Sequence, residues 1–369
     1  MHSFKQTPAW RRGIVLVAAV AAVGSAVSHV AAVLTSVSEP DNLFGHFDQN
    51  ATNNGQSPTN GGTFLITPTN PGVSAMGPAA CAPTSAANSF IYLQNKSNLS
   101  PLLNLGSPYT SISSLASGTY MGTTPATANA RSQTGYSGGG TYPNDFILGK
   151  EKYLQNLPGG ITGPGGQKYA IQTVGEVAGK YSSSAAYAGG PAFTQAPNGP
   201  WIGGVQNQAP TAAFLQQQLA AGEDVELFFV WGTNGKLSTN GGHVVTLTGI
   251  EFDPSGNPTA LSFIDPTNST NAGTVTNPNY QIQYGSGDAP DLTTTSLTTV
   301  GSGAYAGYLQ FSYQGGASGV TSDDNPANAT SGLLVGAVAE SPVAIPEPAT
   351  MALLSLGGLA LLVRRRAPA

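Results

Sequence analysis

Two short apolar runs, each flanked by positive charge, bracket this chain, and only what lies between them is free to build a globular core. From Gly13 to Ala22 the sequence reads GIVLVAAVAA, behind Lys5, Arg11 and Arg12, with no acidic residue before Glu39. That run is too short to span a bilayer and has the length of a signal h-region. Small residues follow at alternating positions, Gly24 and Ala26 or Val30 and Ala32. Either pair suits a signal peptidase. Residues 1–32 are therefore expected to be a signal peptide removed on export, with an uncleaved anchor as the alternative use of the same run.

The second run is more distinctive. Ile345-Pro346-Glu347-Pro348-Ala349-Thr350 leads into MALLSLGGLALLV, and Arg364, Arg365 and Arg366 follow. The prolines keep the entry extended and its backbone accessible. The apolar run enters the membrane although it is shorter than a span of about 20 residues, and the arginines stay on the cytoplasmic side. A plain anchor does not explain Pro-Glu-Pro placed directly before the run. The tail resembles the PEP-CTERM sorting signal of Gram-negative bacteria that make exopolysaccharide. That resemblance implies recognition by a membrane-embedded exosortase, cleavage near Pro-Glu-Pro, and a final place at the outer cell surface or in the extracellular matrix. It covers residues 345–369 and gives an address, not an activity.

Between the signals lie roughly 300 residues, enough for one large domain or two ordinary ones. Only 8% of the chain is charged, while Gly counts 48, Pro 27, and apolar residues make up 40%. Such a body has enough apolar surface to fold and reads as loop-rich with short strands. From Leu43 to Ala344 there are seven Lys or Arg against fifteen Asp or Glu, a net charge of −8. Seven scattered cations cannot form the basic patch that nucleic acid requires, so it is excluded as a partner. The expected organisation is a polar arm or linker at 33–62, a folded domain at 63–338, a linker at 339–345 and the sorting and transmembrane segment at 346–369.

Within the body, Thr63–Thr67 reads as a short strand. A helix is expected from within about two residues of Cys81, because Pro83 suits a first turn and Ala86, Phe90 and Leu93 share one face. Residues 107–142, rich in Gly, Ser, Thr and Tyr, suggest no element. Asp145–Leu157 suggests a helix and Gln167–Thr173 a strand. The Gly-rich run at 159–166 lacks the Lys-Ser/Thr ending of a phosphate loop and reads as a turn. Thr211–Ala221 is a helix ended by Gly222. Strands are expected at Val225–Trp231, His243–Ile250 and Ala260–Ile264, then only short strands and turns to Ala339.

One cysteine remains, Cys81, so the body has no disulfide framework. Its thiol is buried and inert, paired between chains, or reactive. A reactive thiol needs a positive environment to become thiolate, and a helix N-terminus supplies part of one. An imidazole oriented by a carboxylate or amide supplies the rest. His2 and His29 leave with the signal and His46 lies in the polar arm, which leaves His243 at the start of a core strand. Gly241 and Gly242 before it are read as leaving the backbone open to a cleft. The next strand ends in Asp265, which a hairpin brings beside the head of its partner. Cys81, His243 and Asp265 are thus the expected nucleophile, base and orienting acid. One Cys and one core His fall short of a zinc ligand set, and no cofactor is expected.

The order and context of these residues resemble papain-like cysteine peptidases, especially the bacterial group related to the leader-removing peptidases of bacteriocin exporters. The matching pieces are Cys81-Ala82-Pro83-Thr84-Ser85, Leu219-Ala220-Ala221-Gly222-Glu223-Asp224-Val225, Gly242-His243-Val244-Val245-Thr246-Leu247-Thr248-Gly249 and Ile264-Asp265-Pro266. Together they cover residues 77–267. The resemblance implies an α+β fold with the N-terminal Cys-bearing helix packed on an antiparallel sheet, and hydrolysis of peptide bonds in a peptide or protein substrate. Two positions depart from the family: Ala82 stands where it has Gly, and Ala75 where it has its oxyanion-stabilising Gln. A lost side-chain donor lowers such rates by about 10²–10³. The rival reading is a non-catalytic matrix or adhesion protein that kept the fold and lost the rate.

Overall fold

The computed structural model describes residues 36–47, 80–104, 108–123, 140–178, 203–233, 236–266, 274–276, 281–283, 292–312 and 331–345. Strand β1 (Ser36–Ser38) and a 3-10 turn (Asp41–Leu43) come first, then helices α1 (Cys81–Ser97), α2 (Pro108–Ala116) and α3 (Pro143–Gln155). Strands β2 (Ile161–Thr162), β3 (Lys168–Val177) and β4 (Gly203–Gln206) precede helix α4 (Ala212–Ala221). The remainder is strand: β5 (Asp224–Thr233), β6 (Lys236–Phe252), β7 (Pro258–Ile264), β8 (Thr274–Thr276), β9 (Gln281–Gln283), β10 (Leu292–Thr299), β11 (Leu309–Ser312) and β12 (Ser331–Ala344).

These strands do not form the α+β papain-like architecture that the sequence resemblance implied. β5, β6, β7, β10, β11 and β12 pair in that order, every pair antiparallel, and β12 pairs back onto β5, closing a six-stranded barrel. Strand outweighs helix among the described residues, which hold four α-helices. The resemblance missed this because β10 and β12 carry no period-2 signal and β11 is short. β12 is buried from Ser331 to Glu340, so its sequence SGLLVGAVAE runs apolar on both faces. β10, LTTTSLTT, is mostly hydroxyl-bearing and its exposed face bonds to its neighbours, as between Ser262 and Thr294 at 2.8 Å.

Alternation along β5 sorts its side chains between two cores. Val225, Leu227, Phe229 and Trp231 join Val245, Leu247, Phe263, Leu297, Phe311 and Leu334 in the cluster enclosed by the ring. Phe228 and Val230 join Val244, Val335 and Val338 in the second cluster, which α1, α2 and α3 cover. Closure keeps strand edges out of solvent. β6 and β12 outrun the barrel: β1 pairs with β6 at residues 249–251, and β3 pairs with β12 from Gly336 to Ala344. The folded body therefore extends past both expected boundaries. Phe44, His46 and Phe47, from the expected polar arm, are buried, and residues 339–344, from the expected linker, are strand.

The helices follow from local chemistry. α1 is buried through Gln94 and ends at Asn98 in the left-handed conformation, whose N–H bonds to the Gln94 carbonyl. α4 starts on Thr211, whose hydroxyl accepts from the Phe214 N–H at 3.1 Å, and ends on Gly222 at φ 78°. α2 falls in a stretch where no element was expected: it is short, and Ser and Thr, which favour caps and turns over helix interiors, supply much of it.

A buried charge cluster joins the helical layer to the barrel. Lys150 on α3 is fully buried, bonded to Glu226 and 2.9 Å from Glu340, with Asp224 at 3.8 Å. The rings of Phe90 and Phe146 stand 5.2 Å from its ammonium. Asp224 accepts the Glu340 N–H at 2.9 Å, and Thr173 Oγ1 lies 2.8 Å from Glu151 and 3.3 Å from Glu340. The cation outvotes its own desolvation: burial lowers its pKa, but the carboxylates around it hold it above the ordinary lysine range. One cation faces four carboxylates, so the cluster is short of positive charge. Burial is the main cause that raises Asp224 and Glu151, and it pushes Glu226 up to about 7, against the pull of Lys150 and with that of Glu340.

The sign of the pH effect follows. A carboxyl raised in the folded state contributes stability that is full below its ordinary pKa and is lost as pH rises through the folded value. For Glu226 that window runs from 4.5 to about 7. The melting temperature is therefore expected to fall on going from pH 5 to neutrality, as read by calorimetry. Glu226→Gln should flatten that slope, and an unchanged slope would contradict the cluster's titration.

Candidate functional site

Cys81 is the first residue of α1 and is 6% exposed. The N-cap, Ala80, offers no side-chain bond, and the first turn carries no acidic residue. The N–H groups of that turn, which have no partner within the helix, therefore present a positive end with no acidic residue in the turn itself. α1 is pinned to β6 one turn further on. Ser85 Oγ donates to the Val244 carbonyl at 2.8 Å, and Thr246 Oγ1 donates to the Ser85 carbonyl at 3.2 Å. Residues four apart share a helix face, so this pin sets Cys81 toward the stretch of β6 that begins with His243.

His243 is 2% exposed and faces Phe229 across the β5–β6 ladder. Its ring stacks on Trp231 at 5.9 Å and meets Phe229 edge-on at 5.6 Å. Nε2 lies 2.9 Å from Asp265 Oδ1, and Asp265, fully buried, follows the last residue of β7. Gly242 serves a different purpose from the open cleft expected of it. A Cβ there would stand 2.3 Å from the Phe229 carbonyl, so glycine lets the two strands approach.

The electrostatics tie the three residues together. Burial lowers the imidazole pKa, but the charge of Asp265, its hydrogen bond and the Cys81 thiol together raise it well above the ordinary histidine value. With Nε2 committed to Asp265, Nδ1 is the ring atom left for the thiol. It makes no hydrogen bond of ordinary geometry to Cys81, although the thiol lies near enough to contribute to the shift. The structure thus brings His243 and Asp265 into direct contact and sets Cys81 beside the pair.

Sequence reasoning did not single out Trp231, Phe229, Ser85 or Thr246. The apolar alternation of β5 was the available sign for the two rings. The two hydroxyls carried none, because only the packed fold shows what they bond. His46 stands apart from the site, buried near α1 with Nε2 at 3.1 Å from the Asp41 carbonyl. Ala75, which stands where the family has its oxyanion-stabilising Gln, lies outside the described residues, as do Thr63–Thr67, the signal segment and the tail beyond Ile345. Among the described residues no group of three His, Cys, Asp or Glu is placed to hold a metal ion.

Residues 344–366 match the family model of the PEP-CTERM protein-sorting motif. No curated protein matches the chain. The motif defines an exported protein that is sorted to the cell surface, held at the membrane by its C-terminal segment before cleavage, and processed by an exosortase. Among the described residues no helix is long and apolar enough to cross a membrane, and the apolar run at 351–363 lies outside them. Nothing in either comparison supports the papain-like resemblance.

Because Asp265 is the first cause raising the His243 pKa, Asp265→Asn should lower it, as read by NMR titration of the ring. A pKa equal to that of the unmodified protein would show that the 2.9 Å contact is electrostatically idle.

Proposed function

We propose that the protein is a cell-surface cysteine hydrolase acting on peptide bonds, with Cys81, His243 and Asp265 as its catalytic set. One observation carries this reading: the buried His243–Asp265 pair stands beside the chain's only thiol, at the uncapped N-terminus of a helix. The raised pKa of His243 favours imidazolium, the form that can give a proton to a leaving amine.

The steps follow from that arrangement. The Cys81 thiolate attacks the substrate carbonyl carbon, and the Cys81 backbone N–H at the helix start stabilises the developing oxyanion. His243 gives its Nδ1 proton to the leaving amine, the C–N bond breaks, and a thioester remains on Cys81. His243 then takes a proton from water, whose oxygen attacks the thioester and releases the acid and the Cys81 thiolate, which restores the starting pair. Asp265 holds the ring through Nε2 and stabilises its positive charge throughout. Loose hydrogen bonds between nucleophile and base are common before substrate tightens them.

A second reading, a non-catalytic matrix or adhesion protein on the same barrel, draws on the 6% exposure of Cys81. Iodoacetamide separates the two. A catalytic thiol should alkylate fast and below neutral pH, whereas an inert buried thiol should react only on unfolding. Cys81→Ala should abolish hydrolysis of a denatured protein substrate while leaving the melting curve nearly unchanged. His243→Ala should lower the rate by about 10²–10⁴, the usual contribution of a general base. An undiminished rate in Cys81→Ala would end the cysteine-hydrolase reading.

A further inference from the structure

Strand β12 runs directly into the sorting motif. Its first half closes the barrel against β11 and β5, and its second half pairs with β3 as far as Ala344 opposite Tyr169. The main chain stays bonded one residue further. The Ile345 N–H donates to the Lys168 carbonyl at 2.8 Å, and the Gln167 side-chain amide donates to the Ile345 carbonyl at 2.7 Å. The same Gln167 nitrogen also reaches the Lys168 carbonyl at 2.9 Å, so one amide bridges both strand ends.

The next residue is Pro346, which has no N–H and cannot extend a ladder. The matched motif begins at residue 344, so its first two residues are held on the sheet directly ahead of Pro-Glu-Pro in the sequence. Only residues 346–350 separate the last bonded residue from the apolar run that starts at Met351. Fully extended, that stretch reaches about 17 Å, at roughly 3.3–3.6 Å per residue. While the run is in the membrane, the folded barrel therefore stands close over the lipid surface. A sorting enzyme has to reach main chain in the gap between them.

We infer that Gln167 and the start of β3 form a clamp on Ile345 that positions the motif for sorting, confining exosortase processing to residues 346–350 and slowing it by holding the folded body against the cut. Paired backbone upstream of Pro346 is unavailable to any enzyme that binds its substrate as an extended strand. Gln167 is a positioning residue in this device. The inference is independent of the chemistry at Cys81.

The test uses the full chain in cells that carry the exosortase, followed by pulse-chase conversion of precursor to processed protein and by mass spectrometry of the processed C-terminus. The wild-type C-terminus is expected to fall within residues 346–350. A Gly-Ser-Gly-Ser spacer inserted between Ile345 and Pro346 should speed conversion several-fold. Gln167→Ala should convert at a rate between the two, with a melting curve like that of wild type, showing that the body still folds. Equal or slower conversion of the spacer variant overturns the inference, as does a wild-type C-terminus upstream of Ile345. A Gln167→Ala rate equal to wild type overturns the role given to that residue.

Discussion

A lysine with no exposed surface, ringed by carboxylates and two phenyl rings, is the constraint on which the rest of this fold depends. An isolated ammonium in such a place is strongly unfavourable, and so is each unpaired carboxylate. Lys150 must therefore stay where Glu226 and Glu340 can reach it, which fixes α3 against β5 and β12. Glu151, the next residue, reaches Thr173 on β3, so two consecutive side chains of one helix tie it to three strands. A cluster of this kind specifies position more than it adds stability, because removing either partner leaves the other buried and unpaired.

The same layer holds α1. Phe90 packs beside the Lys150 ammonium, and Ser85 bonds to β6 one turn nearer the helix start. The N-terminus of α1 is thereby delivered to the strand segment that carries His243. Around that histidine the barrel supplies a dry, aromatic setting in Phe229 and Trp231. Excluding water strengthens the His243–Asp265 attraction enough to overcome the burial penalty on the imidazole. Scaffold and site are thus linked through a single helix.

The contact between His243 and Asp265 was partly legible in the sequence: Cys81 and Asp265 sit at element boundaries, where local rules are strong, although His243 falls inside β6 rather than at its start. Pro83 marks the first turn of α1, Gly222 ends α4, and Asp265-Pro266 ends β7, all as local chemistry requires. The pairing of β6 with β7 then follows from hairpin geometry, and with it the His243–Asp265 contact. The architecture was not legible. A closed ring depends on β10, β11 and β12: β10 is Thr-rich and β12 uniformly apolar, so neither alternates, and β11 alternates over too short a stretch to stand out. The resemblance across residues 77–267 stopped short of those strands, so it could not register the closure. Nor does sequence show that Lys150, Asp224, Glu226 and Glu340 meet, since they come from three elements and charged residues default to solvent.

The position of β12 in the chain also bears on how the barrel is made. The Glu340–Asp224 contact spans 116 residues of sequence, and β5 must wait that long for its second neighbour. Non-local pairing of this sort folds slowly, because the intervening loop has to close before any contact rewards it. Until β12 arrives, β5 and β11 each expose a row of unpaired N–H and C=O groups, along with the large side chains of an open core. Such edges recruit strands from other chains. A protein delivered outward with its closing strand last spends its early life in its most association-prone form, and a holding chaperone in the export compartment would protect that interval.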